Sequence, residues 1–447
     1  MSPLTNGSGS ETPYWSRRTF VSSLTSAASA LSVAVGPPST RRVLASTPTV
    51  RRPSETKKIA LIATEVRQYS HAQHFIDRFL EGYGWHGEHH YPPMELVSLY
   101  VDQFPDGDLS QDRTQRHPVR IFPTIAEACT LGGNKLAVDA VVIIGEHGQY
   151  PNNRKGQKRY PRYSFFKEVV EVFEDSGRAV PVFNDKHLST RWSESAEMVA
   201  DSQRLGFPFL AGSSLPVTWR IPSVEMPWGT PLEESVCVCY GGVDSYDFHG
   251  LETAQCMSER RAGGESGIRA VQALRGAPMW DRIRDNRQTS QLVLNALSRS
   301  HTVKAPSGFT FTVISLSWAE KMSPEAVGYF IEHTDGMRTN MLMLNGLLSD
   351  FNYAGKVKNS DRIISCQMYL PMPPRYTTLA NFFSPLVNNI EKMILSNLAP
   401  YPIERTLLTT GMTLFGVESL YRGQVRLETP EMNIPYVTPR TSTYWRA

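Results

Sequence analysis

Three short segments of this chain place acids beside histidines or a lysine. The first is Glu146-His147-Gly148 and the second is Asn184-Asp185-Lys186-His187. The third runs from Asp247 through His249 and Glu252 to Glu259. A lysine or histidine held against a substrate hydroxyl can exchange its proton. The same residue types bind divalent metals through imidazole nitrogen and carboxylate oxygen. On a helix, His249, Glu252, Cys256 and Glu259 share one face, since their spacing follows the helical repeat. The candidate metal ligands are Glu146, His147, His187, Glu252 and Glu259, with Asp185 and His249 beside them.

These residues need a frame that brings them together. Apolar runs at 59–62, 95–101, 138–144, 180–183 and 209–211 predict strands. Helical spacing at 70–80, 125–130, 165–175 and 193–205 predicts helices between them. Such alternation predicts a parallel sheet covered on both faces. Ligands bind outside the carboxyl ends of the strands in such sheets. Glu146-His147, Asp185-Lys186-His187 and Ser213-Ser214 each follow a predicted strand, so they are expected to converge on one crevice. In the second half, 236–240, 309–317, 337–347 and 363–370 have strand character, with no regular helices expected between them. Helices are expected again at 381–398 and 406–421. The fold class is therefore α/β: a Rossmann-like parallel-sheet domain at 56–213, then an α+β domain at 214–447 with an open-faced mixed or antiparallel sheet.

Composition narrows the function. The chain has 447 residues, is 40% hydrophobic and carries a net charge of +3. That charge is too mild for a dedicated nucleic-acid binder. No apolar run reaches the roughly 18–20 residues of a spanning helix, so no integral membrane segment is expected. Arg17-Arg18, followed by Phe20 and a diluted apolar stretch to Val35, predict a twin-arginine export signal within 1–55. The mature protein is thus expected in the periplasm or outside the cell. The five cysteines are scattered and odd in number, so burial is expected rather than a disulfide framework.

Three further stretches carry a resemblance. Val182 to Ser189 reads as a strand ending in Asp185-Lys186-His187, ahead of a helix and of Pro208-Phe209-Leu210-Ala211-Gly212. Gly241-Gly242-Val243-Asp244 is followed by Phe248-His249-Gly250. At the tail, Ile390-Glu391, Pro402, Glu418-Ser419 and Gly423 come in order. Together these resemble the glucose–fructose oxidoreductase and inositol dehydrogenase family. The resemblance implies a sugar or polyol oxidoreductase in which Lys186 and His249 exchange protons, with Asp185 and Asp244 at the same site. It leaves a homo-oligomeric form open.

The chain departs from the family at the nucleotide loop. Aligning His71 with the family histidine places Ala63, Glu65 and Gln68 where three glycines belong. Those glycines let the backbone approach a pyrophosphate at a helix N-terminus. Glu65 adds bulk and negative charge beside that anion, which argues against a conventionally bound NAD(P). Arg67 could reach a phosphate, and Asp102 follows the strand where an acid would hold a ribose hydroxyl. Two alternatives stand beside the oxidoreductase. One is a non-redox, divalent-metal-dependent lyase, hydrolase or epimerase for a carbohydrate. The other is a non-catalytic carbohydrate-binding protein.

Overall fold

The computed structural model describes residues 56–445. Arg17, Arg18 and the apolar stretch after them lie outside the described residues. The chain opens with β1 (Lys57–Ala63), α1 (His71–Glu81) and a hairpin of β2 (Tyr83–Trp85) and β3 (Glu88–His90). It continues through β4 (Met94–Val101), α2 (Ser110–Arg116), β5 (Arg120–Ile121), α3 (Ile125–Thr130) and β6 (Ala140–Ile144). Then come α4 (Arg162–Ser176), β7 (Val182–Asp185), α5 (Trp192–Leu205) and β8 (Phe209–Gly212). The sheet has the order β5-β4-β1-β6-β7-β8, and every pairing is parallel. Both faces are covered, which explains the unbroken apolar runs. Ala60, Ile62, Val141 and Ile143 pack with α3, α4 and α5, whereas Leu61, Ala63, Val142 and Ile144 pack with α1. Strand order reverses between β1 and β6, the place where such sheets open a crevice.

The second sheet is mixed. Its elements are β9 (Arg220–Ile221), β10 (Leu232–Cys239), α6 (Tyr246–Ser258), β11 (Ile268–Arg275), α7 (Ala277–Asp285), α8 (Arg287–Leu297) and α9 (Leu316–Met322). They are followed by β12 (Val327–His333), β13 (Arg338–Met343), β14 (Phe351–Val357), β15 (Ile363–Met368), α10 (Ser384–Ser396), α11 (Ile403–Tyr421) and β16 (Leu427–Glu428). The order is β16-β11-β12-β13-β10-β14-β15-β9. Only β10 and β13 run parallel. Helices α6 and α11 cover one face, while α7 and α8 cover the other through Trp280, Leu292 and Val293.

Two sequence expectations fail in this half. Residues 309–317 form no strand: Phe311 is 78% exposed, and Ser315 instead caps α9 by accepting the Trp318 amide. Alternation without a partner strand does not make a sheet. Three helices, α7 to α9, also stand where no regular helix was expected, whereas α6 falls on the segment read as a helix through His249 and Glu252.

Helix α6 positions the candidate site. Every residue from Asp247 to Ser258 is buried, so the helix has no solvated face. The Asp247 carboxylate accepts the amides of Asp244, Ser245 and Phe248 at 2.8–2.9 Å and the Tyr329 hydroxyl at 2.8 Å. It therefore does the capping that Ser245 does not do, a role worth about 1 kcal/mol. Helix α11 packs on α5 and β8 of the first sheet and on α6 and β11 of the second, which joins the two layers. All five cysteines are buried and free. Among the described residues no helix is long and apolar enough to cross a membrane.

Candidate active site

Lys186 directly follows β7 and lies over the N-terminal half of α6. Its Nζ is 2.5 Å from His249 Nε2. Lys186 holds a left-handed φ of 69°, and His147 and Asp244 hold φ values of 73° and 60°. Such conformations cost of order 1–3 kcal/mol each and cluster at functional sites. The Lys186 amide bonds to the Gly212 carbonyl at 3.1 Å, which fixes the turn. Burial, then the Lys186 charge, push the His249 pKa far down. Its ring is therefore neutral and accepts the lysine proton at Nε2. That leaves the ring proton on Nδ1, which is buried without a partner.

Asp185 and His71 form the second pair, with Oδ2 to Nδ1 at 2.7 Å. Burial raises the Asp185 pKa to about 7 against the pull of Lys186. Burial and Lys186 lower His71. The pair therefore shares one proton, carried by the carboxyl and donated to the ring.

Arg162, the first residue of α4, organises the floor. It donates to Glu146 at 2.5 Å, to the Gly145 carbonyl at 2.8 Å and to the His187 ring at 2.9 Å. Burial raises the Glu146 pKa, but Lys186 and Arg162 outweigh it and hold the carboxyl well below its usual range. Burial and then Arg162 drive His187 far down. A side chain at Gly145 would meet the Arg162 Cγ at 2.6 Å, so glycine is required there.

These groups border a pocket of about 220 Å³ at the carboxyl ends of β6, β7 and β8. Lys186, His249, His71, His147 and Glu146 line its polar side, while Tyr246, Met372 and Phe383 line its apolar side. Of the strand-end residues expected to converge, Glu146, His147, Lys186, Ser213 and Ser214 line this pocket, joined by His249, while Asp185 and His187 do not line it. Arg162, His74, Tyr160, Tyr246 and Phe383 were not singled out by sequence. Arg162 carries no local signal, because its role comes from where α4 starts relative to β6.

The rest of the candidate set disperses. Asp244 does not line the pocket: it accepts Gln157 Nε2 at 2.9 Å and the Lys158 amide at 3.0 Å, with His187 at 3.9 Å. Burial and Asp247 raise its pKa to about 7. Glu252 accepts the Ser213 amide at 2.8 Å and the Ser213 hydroxyl, and burial raises it to about 7. Gly212 holds a φ of 120°, which favours glycine at that turn too. Glu259 is the clearest correction. It pairs with Arg405 and accepts the Tyr436 hydroxyl at 2.7 Å, all buried. The expected metal set of Glu146, His147, His187, Glu252 and Glu259 is thus not one cluster. Arg162, Ser213 and Arg405 each claim a member. Among the described residues no three His, Cys, Asp or Glu side chains are arranged to hold a metal ion.

The three residues considered for cofactor binding lie at the switch-point crevice. Glu65 is 5% exposed and pairs with Arg67 at 2.6 Å. Arg67 also reaches His147 Nδ1 at 3.3 Å. Asp102 accepts the Tyr100 hydroxyl at 2.9 Å and the Tyr150 hydroxyl at 2.5 Å.

By sequence the chain matches no protein-family profile and no curated protein. By structure it is similar to GenD2 from gentamicin A biosynthesis, solved in complex with NAD. The TM-score is 0.50 at 12% identity, covering 84% of this chain and 96% of that one. It is also similar to myo-inositol dehydrogenase from Lactobacillus casei, solved with NAD(H) and myo-inositol. There the TM-score is 0.51 at 7% identity, covering 84% and 97%. At such identities the likeness is one of fold: this chain has the fold of the glucose–fructose oxidoreductase and inositol dehydrogenase family.

Proposed function

We propose that this chain is an oxidoreductase-like enzyme acting on a sugar or polyol, with Lys186 and His249 as its acid–base pair. The observation that carries the reading is their 2.5 Å contact inside a pocket at the strand ends. As Lys186 Nζ turns its N–H from His249 Nε2 to the substrate oxygen, that ring nitrogen is freed to take the hydroxyl proton. The Lys186 cation stabilises the oxygen as its proton leaves. Asp185–His71 and Arg162–Glu146 hold that pair in place and keep the local charge balanced. The fold neighbours above hold a nicotinamide nucleotide. Here the residues at the matching crevice do not fit one, because Glu65, Arg67 and Tyr150 occupy it. No step is therefore written through such a cofactor.

That misfit favours a second reading, a non-redox lyase, hydrolase or epimerase using the same acid–base pair. The two readings separate by product analysis on a panel of sugars and polyols. A change of oxidation state in the product, with an added small-molecule electron acceptor reduced in step, supports the first, and an isomer, hydrolysis product or elimination product supports the second. Turnover retained by both Lys186→Ala and His249→Ala would falsify the acid–base pair. From Arg17-Arg18 and the stretch behind them we also infer export by the twin-arginine route. Substituting both arginines with lysine is expected to retain the protein in the cytoplasm, and unchanged export would refute the route.

A further inference from the structure

The switch-point crevice is crossed by the protein's own chain. The loop from Thr64 to Ser70 contains no glycine, and Val66 within it is fully buried. The Val66 carbonyl accepts the Leu109 amide at 2.7 Å, and Arg67 bridges to Asp108. The loop is thus clamped to the segment that follows β4. From the other side, the segment after β6 closes over the same strand ends. The Thr64 hydroxyl donates to the Glu146 carbonyl at 2.6 Å. The Gln103 side chain accepts the Gln149 amide at 2.9 Å and donates to its carbonyl at 3.2 Å. Tyr150 then donates to Asp102 at 2.5 Å. The acid that would hold a ribose is consumed by two tyrosines.

Amides on the turn into α1 are taken as well. A helix N-terminus binds phosphate through free amides. Here Ser70 Oγ accepts the amides of Arg67 and Gln73 at 3.1 and 3.2 Å, and Gln73 Oε1 accepts the Tyr69 amide at 2.6 Å. At the carboxyl edge the pocket of about 220 Å³ lies past β6, β7 and β8, and a separate depression of about 570 Å³ lies past β4 and β5; neither is lined by Glu65, Asp102, Gln103 or Tyr150, so the crossing chain stands between them. Pockets for drug-sized ligands run from about 300 to 1,000 Å³, and a dinucleotide is larger than most drugs.

We propose that the dinucleotide crevice of this Rossmann frame is a closed structural seam. The chain binds no NAD(P), and the small pocket beside Lys186 and His249 takes one small polar molecule. The inference rests on the crevice and stands apart from the roles given to Lys186 and His249.

Calorimetry of the full chain against NAD+, NADH and NADP+, up to about 1 mM, the weak end of specific binding, is the direct test. No saturable heat is expected, and stoichiometric binding of any of the three overturns the proposal. Hydrogen exchange gives a second readout. The amides of Gln103, Leu109 and Gln149 are expected to be protected, with the same rates in the presence of NAD+. Rapid exchange of these amides, or protection that appears only with the nucleotide, overturns it. Finally, Gln103→Ala combined with Tyr150→Phe is expected to lower the melting temperature by several degrees. An unchanged melting temperature would show that the seam bears no structural role.

Discussion

The seam and the pocket are built from neighbouring ends of one parallel sheet, yet they treat polar groups in opposite ways. In the seam, Thr64, Asp102, Gln103, Gln149 and Tyr150 are bonded to one another or to the neighbouring chain, and Asp108 Oδ1 is the one buried side-chain atom left without a partner among the residues that clamp it. Around the pocket and its floor, His74 Nε2, His147 Nε2, Asp185 Oδ1, His249 Nδ1 and Glu252 Oε1 are buried without a partner. Each such atom costs about 1–3 kcal/mol. A folded chain keeps that penalty where another requirement outweighs it, and left-handed Lys186 and His147 add backbone strain at the same place. The seam is finished structure, while the pocket is arranged for something further.

The sharpest way to break this contrast is at the pocket. Lys186→Ala and His249→Ala are each expected to lower turnover about 10²–10⁴-fold while the protein stays folded, as lost proton transfer does. Steady-state rates with circular dichroism check it. Full activity in both would remove the pocket from the chemistry.

Arg162→Met comes next. It strands buried Glu146, and breaking such a pair costs about 3–5 kcal/mol. Urea denaturation is expected to show that loss together with lost activity, since Arg162 serves the pocket floor and braces the segment that closes the seam.

Glu252→Gln tests the protonated carboxyls. The folded Glu252 pKa is raised to about 7 from 4.5. Its stabilising contribution is therefore full below pH 4.5 and is lost as pH rises through 7. Glutamine mimics the protonated form, so the variant is expected to melt as the parent does at pH 4.5. It should gain on the parent by pH 8, by on the order of 3 kcal/mol at the full shift. A parallel pH profile in the two proteins would contradict this. His74, lowered to about 4 mainly by burial, acts in the opposite sense. Its contribution is full above pH 6.5 and fades as pH falls through 4, so acid destabilises this corner while alkali destabilises Glu252.

The smallest effect is expected from Tyr150→Phe alone. One partly exposed hydrogen bond is worth about 0.5–1.5 kcal/mol, and turnover is expected to stay unchanged. Lost turnover would mean that the seam takes part in catalysis.

The first sheet was legible because its strands are buried on both faces and read as apolar runs bounded by turns. The predicted strand at 138–144 begins two residues early, and the predicted helix at 193–205 begins one residue late. The second sheet was less legible. Ile268–Arg275 mixes arginine and glutamine with apolar residues, so its place between β12 and β16 has no clear periodic signature. The segment 309–317 carried the signature without a partner. At the site, Lys186 was legible from its place after a strand and His249 from its helix face, and the family resemblance pointed to both. Arg162 was not, because it reaches its partners only after α4 folds back over β6.

By itself the sequence determined the parallel frame, singled out Lys186 and His249 as candidates and showed a nucleotide loop without glycine. Apolar periodicity and strand-end loops are local properties. Only the tertiary structure decided which acids meet which cations. Glu259 went to Arg405, Glu252 to Ser213 and Glu146 to Arg162, because buried charge and buried lone pairs must find partners across elements far apart in the chain. It also decided what replaced the lost glycines: side chains from three strand ends, bonded to one another across the crevice.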